Sequence, residues 1–377
     1  MITIKRKLED LIFAKLKPNK VIALFGARRT GKTFLLNIIK AKVYGKHISF
    51  DGEDFNTLDV FRRRDLEYYK ELLYGIKYLF IDEAQKIPNI GSILKLIVDH
   101  IEGISILISG SSSLDLSGEV GEPLTGRKWT YILYPVAQCE LNPNDSPATS
   151  IQDLNNRLIF GSYPELMNIK GINEKKEYLN ELVSSYLLKD IISLDNVKAS
   201  SKIIQILRLL AYQTGSVVSL SEIALNSGLS KVTVDKYVDL LTKVFIIFRV
   251  GGFSKNLRKE LTKSSKYYFW DNGIRNAIIR DFSDFGTRKD TGQLWENFVI
   301  SERMKYLSYE QKYVNYYFWR TYDKQEIDWI EESDGRLSAY EIKLSAAKKH
   351  APSAWRNAYP ESTFTTINKE NHIKFIT

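Results

Sequence analysis

An α/β fold built on a parallel sheet is predicted by three observations in the 377-residue chain. Five apolar residues, Val21 to Phe25, run into Gly26-Ala27-Arg28-Arg29-Thr30-Gly31-Lys32-Thr33, and an apolar-periodic segment opens immediately behind. A second apolar strand, Tyr78-Leu79-Phe80-Ile81, ends in Asp82 and Glu83. Around these stretches strands alternate with helical patterns, the order that makes a parallel sheet with ligands at the C-terminal ends of its strands.

The first stretch has the strand, glycine loop and helix that a nucleotide phosphate site requires. The glycines let the backbone curl so that its N–H groups point at phosphate oxygens, and the next helix adds its positive dipole end. Residues Gly26 through Phe34 are therefore the candidate ATP-binding residues, a P-loop. Lys32 would reach the β- and γ-phosphates, and Thr33 would place its hydroxyl on Mg²⁺. His47 to Phe50 is a short strand candidate followed by the acidic stretch Asp51-Gly52-Glu53-Asp54. The strand from Tyr78 delivers Asp82 to the sheet edge, where it can hold Mg²⁺, and Glu83 can orient and polarise the attacking water. Two adjacent acids at a strand end are commonplace, but their place behind a P-loop makes them the second half of an ATPase site. A helical pattern from Ile90 to Ile101 and a strand from Ile104 to Ile108 put Ser109 beside those acids. A helix N-cap or turn serine is the alternative reading of Ser109.

With 44% hydrophobic and 26% charged residues the composition is that of a soluble globular protein. No apolar run approaches a membrane span, and Met1 to Lys7 lack the apolar core of a signal peptide, so a cytoplasmic location and no membrane partner are expected. The single cysteine, Cys139, excludes an internal disulfide or a cysteine-based zinc cluster and reads as a buried small hydrophobe. The net charge of +9 is uneven: Ser201 to Asn272 hold eleven Lys or Arg against five Asp or Glu. Such a surplus favours a polyanionic partner.

Leu141 to Ser150 is rich in turn formers and reads as a linker, followed by helical patterns from Ile151 to Leu194. From Val218 to Leu241 a helix, a turn at Gly228 and a second helix follow, with Ser230 placed as the N-cap of the second. Val234, Tyr237, Val238 and Leu241 share its core face and leave Lys231, Asp235, Lys236 and Asp239 toward solvent. Strands at Val244 to Val250 and Lys266 to Trp270 flank a basic turn containing Lys255, Arg258 and Lys259, which completes a winged helix. Its second helix could enter a major groove while the basic turn contacts phosphates. The alternative is a protein-packing module, and Asp235 and Asp239 on the exposed face count against tight DNA reading.

In the last part, Gly292 to Arg303 is an amphipathic helix and Tyr316 to Arg320 a strand. A hairpin turning at Asp334-Gly335 pairs Gln325 to Ile330 with Leu337 to Leu344. Pairing Ser333 with Arg336 sets Asp328 opposite Glu341 and Glu326 opposite Lys343, all on one face. Opposed carboxylates destabilise a hairpin unless something positive sits between them, and a divalent metal held by Asp328 and Glu341 would do that. In the alternative, Glu326 and Lys343 form a plain ion pair and the acids face water.

The order GARRTGKT, LFIDEAQ, ISGSSS, LTGRKW, YPVAQCE and GSYPE resembles a widespread prokaryotic family of AAA-type ATPases that carry a C-terminal restriction-endonuclease-like domain. The resemblance implies an AAA-type P-loop core over residues 1–140, a helical lid over 141–200, the winged helix over 201–285 and a nuclease-like α/β domain over 286–377. It also implies a sensor role for Ser109 and, for Arg127, a finger acting on a neighbouring subunit's ATP; a surface pair with Glu119 or Glu122 is the alternative for Arg127. Glu296, Asp328, Glu341 and Lys343 resemble the catalytic set of the PD-(D/E)XK nucleases, in which the acids hold Mg²⁺ and the lysine helps activate water. The expected function is ATP-driven action on duplex or branched DNA by a homo-oligomer, a hexamer by analogy, that translocates, remodels or cuts. An ATP-gated regulatory switch that binds DNA or a partner protein and cleaves nothing is the alternative.

Overall fold

Strand β1 (Lys20–Phe25) is buried from Val21 onward because it is covered on both faces, as strands of parallel sheets are. The computed structural model describes residues 4–111, 124–141, 147–187, 200–254, 265–345 and 350–377. They divide into two compact units, residues 1–135 with 243–245, and residues 136–242 with 246–377. Among the described residues no helix is long and apolar enough to cross a membrane.

In the first unit β1 joins β2 (His47–Asp51), β3 (Tyr78–Asp82), β4 (Ser105–Gly110) and β5 (Lys128–Ile132) in the order β2-β3-β4-β1-β5. Every pairing is parallel. The unit also contains helices α1 (Lys7–Lys15), α2 (Lys32–Lys42), α3 (Phe55–Arg62), α4 (Leu66–Leu72) and α5 (Ile90–His100). The central β4 is buried along its whole length. Each aliphatic side chain such as Ile106, Leu107 or Ile108 contributes about 2 kcal/mol by leaving water. Burial of the sheet therefore fixes the strand ends, and with them every side chain at the C-terminal edge.

The second unit contains α6 (Pro147–Phe160), α7 (Ile172–Glu181), α8 (Ser200–Tyr212), α9 (Leu220–Ser227), α10 (Lys231–Lys243), α11 (Asn272–Ile279), α12 (Thr291–Tyr309), α13 (Ser353–Ala358) and α14 (His372–Ile376). Its strands are β6 (Val217–Val218), β7 (Ile247–Gly252), β8 (Ser265–Phe269), β9 (Asn315–Arg320), β10 (Glu326–Ser333), β11 (Arg336–Ile342) and β12 (Thr363–Ile367). They form one sheet ordered β12-β11-β10-β9-β7-β8-β6. The hairpin β7–β8 is antiparallel and joins the C-terminal strands through a parallel pairing of Gly251 and Gly252 with Tyr317 and Phe318. No sheet edge therefore falls at residue 285. Ser230 accepts a hydrogen bond from the Thr233 N–H at 3.1 Å, the cap expected for α10. Lys231, Asp235, Lys236 and Asp239 on that helix are exposed while Val234, Val238 and Leu241 are buried. Lys255, Arg258 and Lys259 lie outside the described residues.

Several expectations change. The stretch read as a linker becomes helix at Pro147, because proline has the right φ for a first helical turn and lacks an N–H that the turn would leave unpaired anyway. Helix α12 is buried on most of its circumference rather than along one stripe, since α6, α11, α14, β8 and β11 all pack on it. Its buried Asn297 exchanges hydrogen bonds with the backbone of Phe269, at 2.7 and 3.0 Å. Cys139 is half-buried in the short turn Gln138–Glu140 rather than fully buried.

The hairpin β10–β11 turns at Asp334 (φ 50) and Gly335 (φ 76), the left-handed pair that a two-residue turn requires. Five pairs follow in the expected register, from Ser333 with Arg336 to Trp329 with Tyr340. Beyond them the expected opposition of Asp328 with Glu341 and of Glu326 with Lys343 gives way. Pairing of β10 with β9 shifts register between Ile327 and Ile330. The Ile342 N–H donates to the Asp328 side chain at 2.8 Å, and the Lys343 N–H goes to the Ile367 carbonyl on β12 at 2.9 Å.

Candidate nucleotide site and a second carboxylate cluster

The loop after β1 leads directly into α2, whose N-cap, Gly31 (φ 96), makes no side-chain cap. N–H groups at the start of a helix suit an anion. Gly26 (φ 154) is irreplaceable in this geometry: a Cβ there would sit 2.2 Å from the Leu133 carbonyl oxygen. Lys32 is buried, and its ammonium donates to the carbonyls of Gly26 and Ala27, both at 2.9 Å. Thr30 closes the loop by donating to the Ala27 carbonyl at 2.9 Å. Ala27 is buried, Arg28 is half-buried and Arg29 (φ 63) is exposed, as are Thr33 and Phe34 at the start of α2.

Strand β4 lies between β1 and β3, so Ser109 separates the loop from Asp82 along the sheet edge. Ser109 is fully buried and donates to Asp82 Oδ1, while the Glu83 N–H donates to Asp82 Oδ1 at 3.1 Å and to Ser109 Oγ at 3.3 Å. Glu83 has φ 46, a strained conformation for a residue with a Cβ, and one that gathers at functional sites. Its Oε2 accepts from the Gln85 amide at 2.5 Å, and the same amide donates to Ser111 Oγ at 3.0 Å. Among the described residues no basic side chain pairs with Asp82, so one hydroxyl at Thr33 and one carboxylate at Asp82 fit a Mg²⁺ ion that takes its other ligands from phosphate and water.

Arg127 is held by Asp99, with Nε 2.5 Å from Oδ1, a partner that sequence reasoning did not consider. Sequence reasoning also missed Arg6. Its buried guanidinium donates to the Thr30 carbonyl at 2.8 Å and to the Tyr134 carbonyl at 2.6 Å, bracing the loop from behind. Nothing in the run Lys5-Arg6-Lys7 distinguishes it from its neighbours; only burial does.

A second group of charges gathers in the other unit. Glu296, Asp328, Glu341 and Lys343 come together there, joined by Glu326 and by Lys266 from β8. Lys343 Nζ is 2.9 Å from Glu341 Oε1 and 3.7 Å from Asp328 Oδ2. Lys266 Nζ is 2.5 Å from Glu326 Oε1, 3.5 Å from Glu296 Oε1 and 3.7 Å from Asp328 Oδ1. Glu326 thus meets Lys266 and, at 3.6 Å, Arg320 rather than Lys343. The Tyr268 hydroxyl donates to Glu296 Oε1 at 2.7 Å. Burial, and then the charge of Asp328, push Glu296 up to about 7. Burial also opposes the charge of Lys266, but Glu296, Asp328 and Glu326 outweigh it and raise the lysine above its ordinary value.

With Lys266 and Lys343 both in place, this arrangement does not fit a divalent ion. Both oxygens of Asp328 already face an ammonium, and Oδ2 also accepts the Ile342 N–H. A divalent ion would therefore have to displace an ammonium group from Asp328 rather than sit beside it, since like charges this close repel. No group of three or more carboxylate, histidine or cysteine ligands suited to a metal occurs among the described residues.

The order β2-β3-β4-β1-β5, with its glycine loop and strand-end acids, defines the first unit as a P-loop ATPase. A family described as an AAA domain matches residues 18–142. Two further families, both described as domains of unknown function, DUF8612 and DUF4143, match residues 151–287 and 291–371. An uncharacterised protein of Mycobacterium tuberculosis is 27% identical over 329 residues, covering 86% of this chain and 70% of its own length. Another from Methanocaldococcus jannaschii is 26% identical over 377 residues, covering 94% of this chain and 82% of its own. Among solved structures, a Walker-type ATPase of Pyrococcus abyssi aligns with a TM-score of 0.47 and 15% identity over 72% of this chain and 94% of its own.

Proposed function

We propose that the chain hydrolyses ATP at the edge of the first sheet and uses that cycle to act on DNA as a homo-oligomer. The observation that carries the reading is the meeting of the glycine loop, Asp82, Glu83 and Ser109 on one sheet edge. Lys32 exchanges the carbonyls of Gly26 and Ala27 for the β- and γ-phosphates, and the loop N–H groups from Gly26 to Phe34 surround the phosphate chain. Thr33 and Asp82 hold Mg²⁺, which neutralises charge on the transferred phosphoryl group when bound with the nucleotide. Glu83, once it lets go of Gln85, orients the attacking water, and Ser109 fixes the acids. Arg127 leaves Asp99 to reach the ATP of a neighbouring subunit.

The DNA part rests on the winged-helix order of α8, α9, α10 and the β7–β8 hairpin, in the segment where the basic surplus is concentrated. Backbone contacts fit this surface better than base contacts, because Asp235 and Asp239 share the exposed face of α10 with Lys231 and Lys236. Linear, forked and four-way duplex DNA are expected to stimulate ATP turnover, with the stimulation falling as salt rises. Turnover unchanged by every DNA, together with no shift of labelled DNA by the protein, would leave ATP hydrolysis in place and transfer the reading to a switch acting on a protein partner.

A further inference from the structure

The second carboxylate cluster contains its own cation. Lys266 is 1% exposed, and its ammonium reaches Glu326, Glu296 and Asp328 from a strand on the far side of β7 and β9 from the hairpin. Lys343 differs: its side chain is 35% exposed and can swing into water to make room for an incoming ion. Lys266 has no such exit, and the Phe318 ring, with its centroid 5.5 Å from Nζ, covers it from β9. Removing the ammonium would take from Glu296 its ion-pair partner and from Asp328 the cation on Oδ1, so the lysine is fixed where it is by the charges around it.

We infer that Lys266 is the resident cation of this cluster: it holds the place between Glu296 and Asp328 that a metal-dependent nuclease gives to a divalent ion, and so closes the site to metal. The acids and Lys266 act instead as an ionic lock that ties β8 to β10 and α12 across one sheet. The inference rests on the cluster alone and stands or falls separately from ATP hydrolysis in the first unit.

The test uses the full-length protein without nucleotide. Bound Mn²⁺ is counted by electron paramagnetic resonance, and melting is followed with and without the ion, in wild type, Asp328→Asn, Lys266→Met and the double variant Lys266→Met/Asp328→Asn. Lys266→Met keeps the length of the side chain and removes its charge. Wild type and Asp328→Asn are expected to give the same Mn²⁺ count and no metal-dependent rise in melting temperature. Lys266→Met is expected to melt lower, to gain one Mn²⁺ and to recover part of the loss when the ion is added, and the double variant is expected to lose that gain. A Mn²⁺ site in wild type that disappears in Asp328→Asn overturns the inference, as does a folded Lys266→Met that gains no ion. Should Lys266→Met not fold, the comparison of wild type with Asp328→Asn decides alone. Nicking of supercoiled DNA by wild type that is lost in Asp328→Asn would overturn it as well.

Discussion

Glu83→Gln is expected to keep ATP bound while hydrolysis falls by about 10²- to 10⁴-fold, the range that a positioned general base contributes. The substitution keeps the size of the side chain and its place beside Asp82, and removes only the negative charge that the proposed role in activating water requires. Two features of the resting geometry make Glu83 the residue to test. Its backbone is held at φ 46 by the turn that follows β3, and its carboxylate is tied to Gln85 rather than to a basic group. Tethered in this way, it must be released before it can meet the attacking water. Measured by phosphate release and by binding of a fluorescent ATP analogue, retained binding with lost turnover is the expected pair. Normal turnover would remove Glu83 from the reaction.

Arg127→Ala is expected to lower turnover by about 10³-fold or more while leaving nucleotide affinity nearly unchanged, because a finger supplied in trans acts on the transition state. The ion pair with Asp99 is partly exposed, with the arginine at 39%, so breaking it costs little and does not by itself hold the arginine back. Mixing Arg127→Ala with Lys32→Ala protein is expected to restore part of the activity at interfaces where an intact finger faces an intact loop. No recovery in the mixture, from a protein that stays monomeric with ATP, would assign Arg127 to a surface pair with Asp99 and nothing more.

What could be read from the sequence was what depends on near neighbours. Apolar runs such as Tyr78 to Ile81 and Ile104 to Ile108 give the buried strands, and their ends place Asp82 and Ser109. The Asp334-Gly335 turn sets the hairpin register through Trp329 and Tyr340 by local geometry alone. The paired register ends at Trp329 and Tyr340, one residue short of Asp328 and Glu341, because β9, a different strand, shifts its pairing at Ile327, and because a side-chain oxygen of Asp328 replaces a backbone acceptor. Arg6, Gln85 and Lys266 were invisible for a related reason. Arg6 and Lys266 act on partners far along the chain, and a basic residue destined for burial looks like any other until the partners surround it. Gln85 ends the run LFIDEAQ, but its amide matters only because β4 brings Ser111 alongside. The same limit explains why opposed acids suggested a metal: the compensating charge lay on β8, outside the hairpin.

Steady-state phosphate release from wild type and Lys32→Ala protein, measured side by side with ATP and Mg²⁺, tests the nucleotide site most directly. The Lys32 ammonium now rests on two loop carbonyls at 2.9 Å and is the point charge nearest the expected phosphates. Turnover in wild type that depends on Mg²⁺ and falls to background in Lys32→Ala is the expected result. Equal turnover in the two proteins, or none in wild type with or without DNA, would contradict the account.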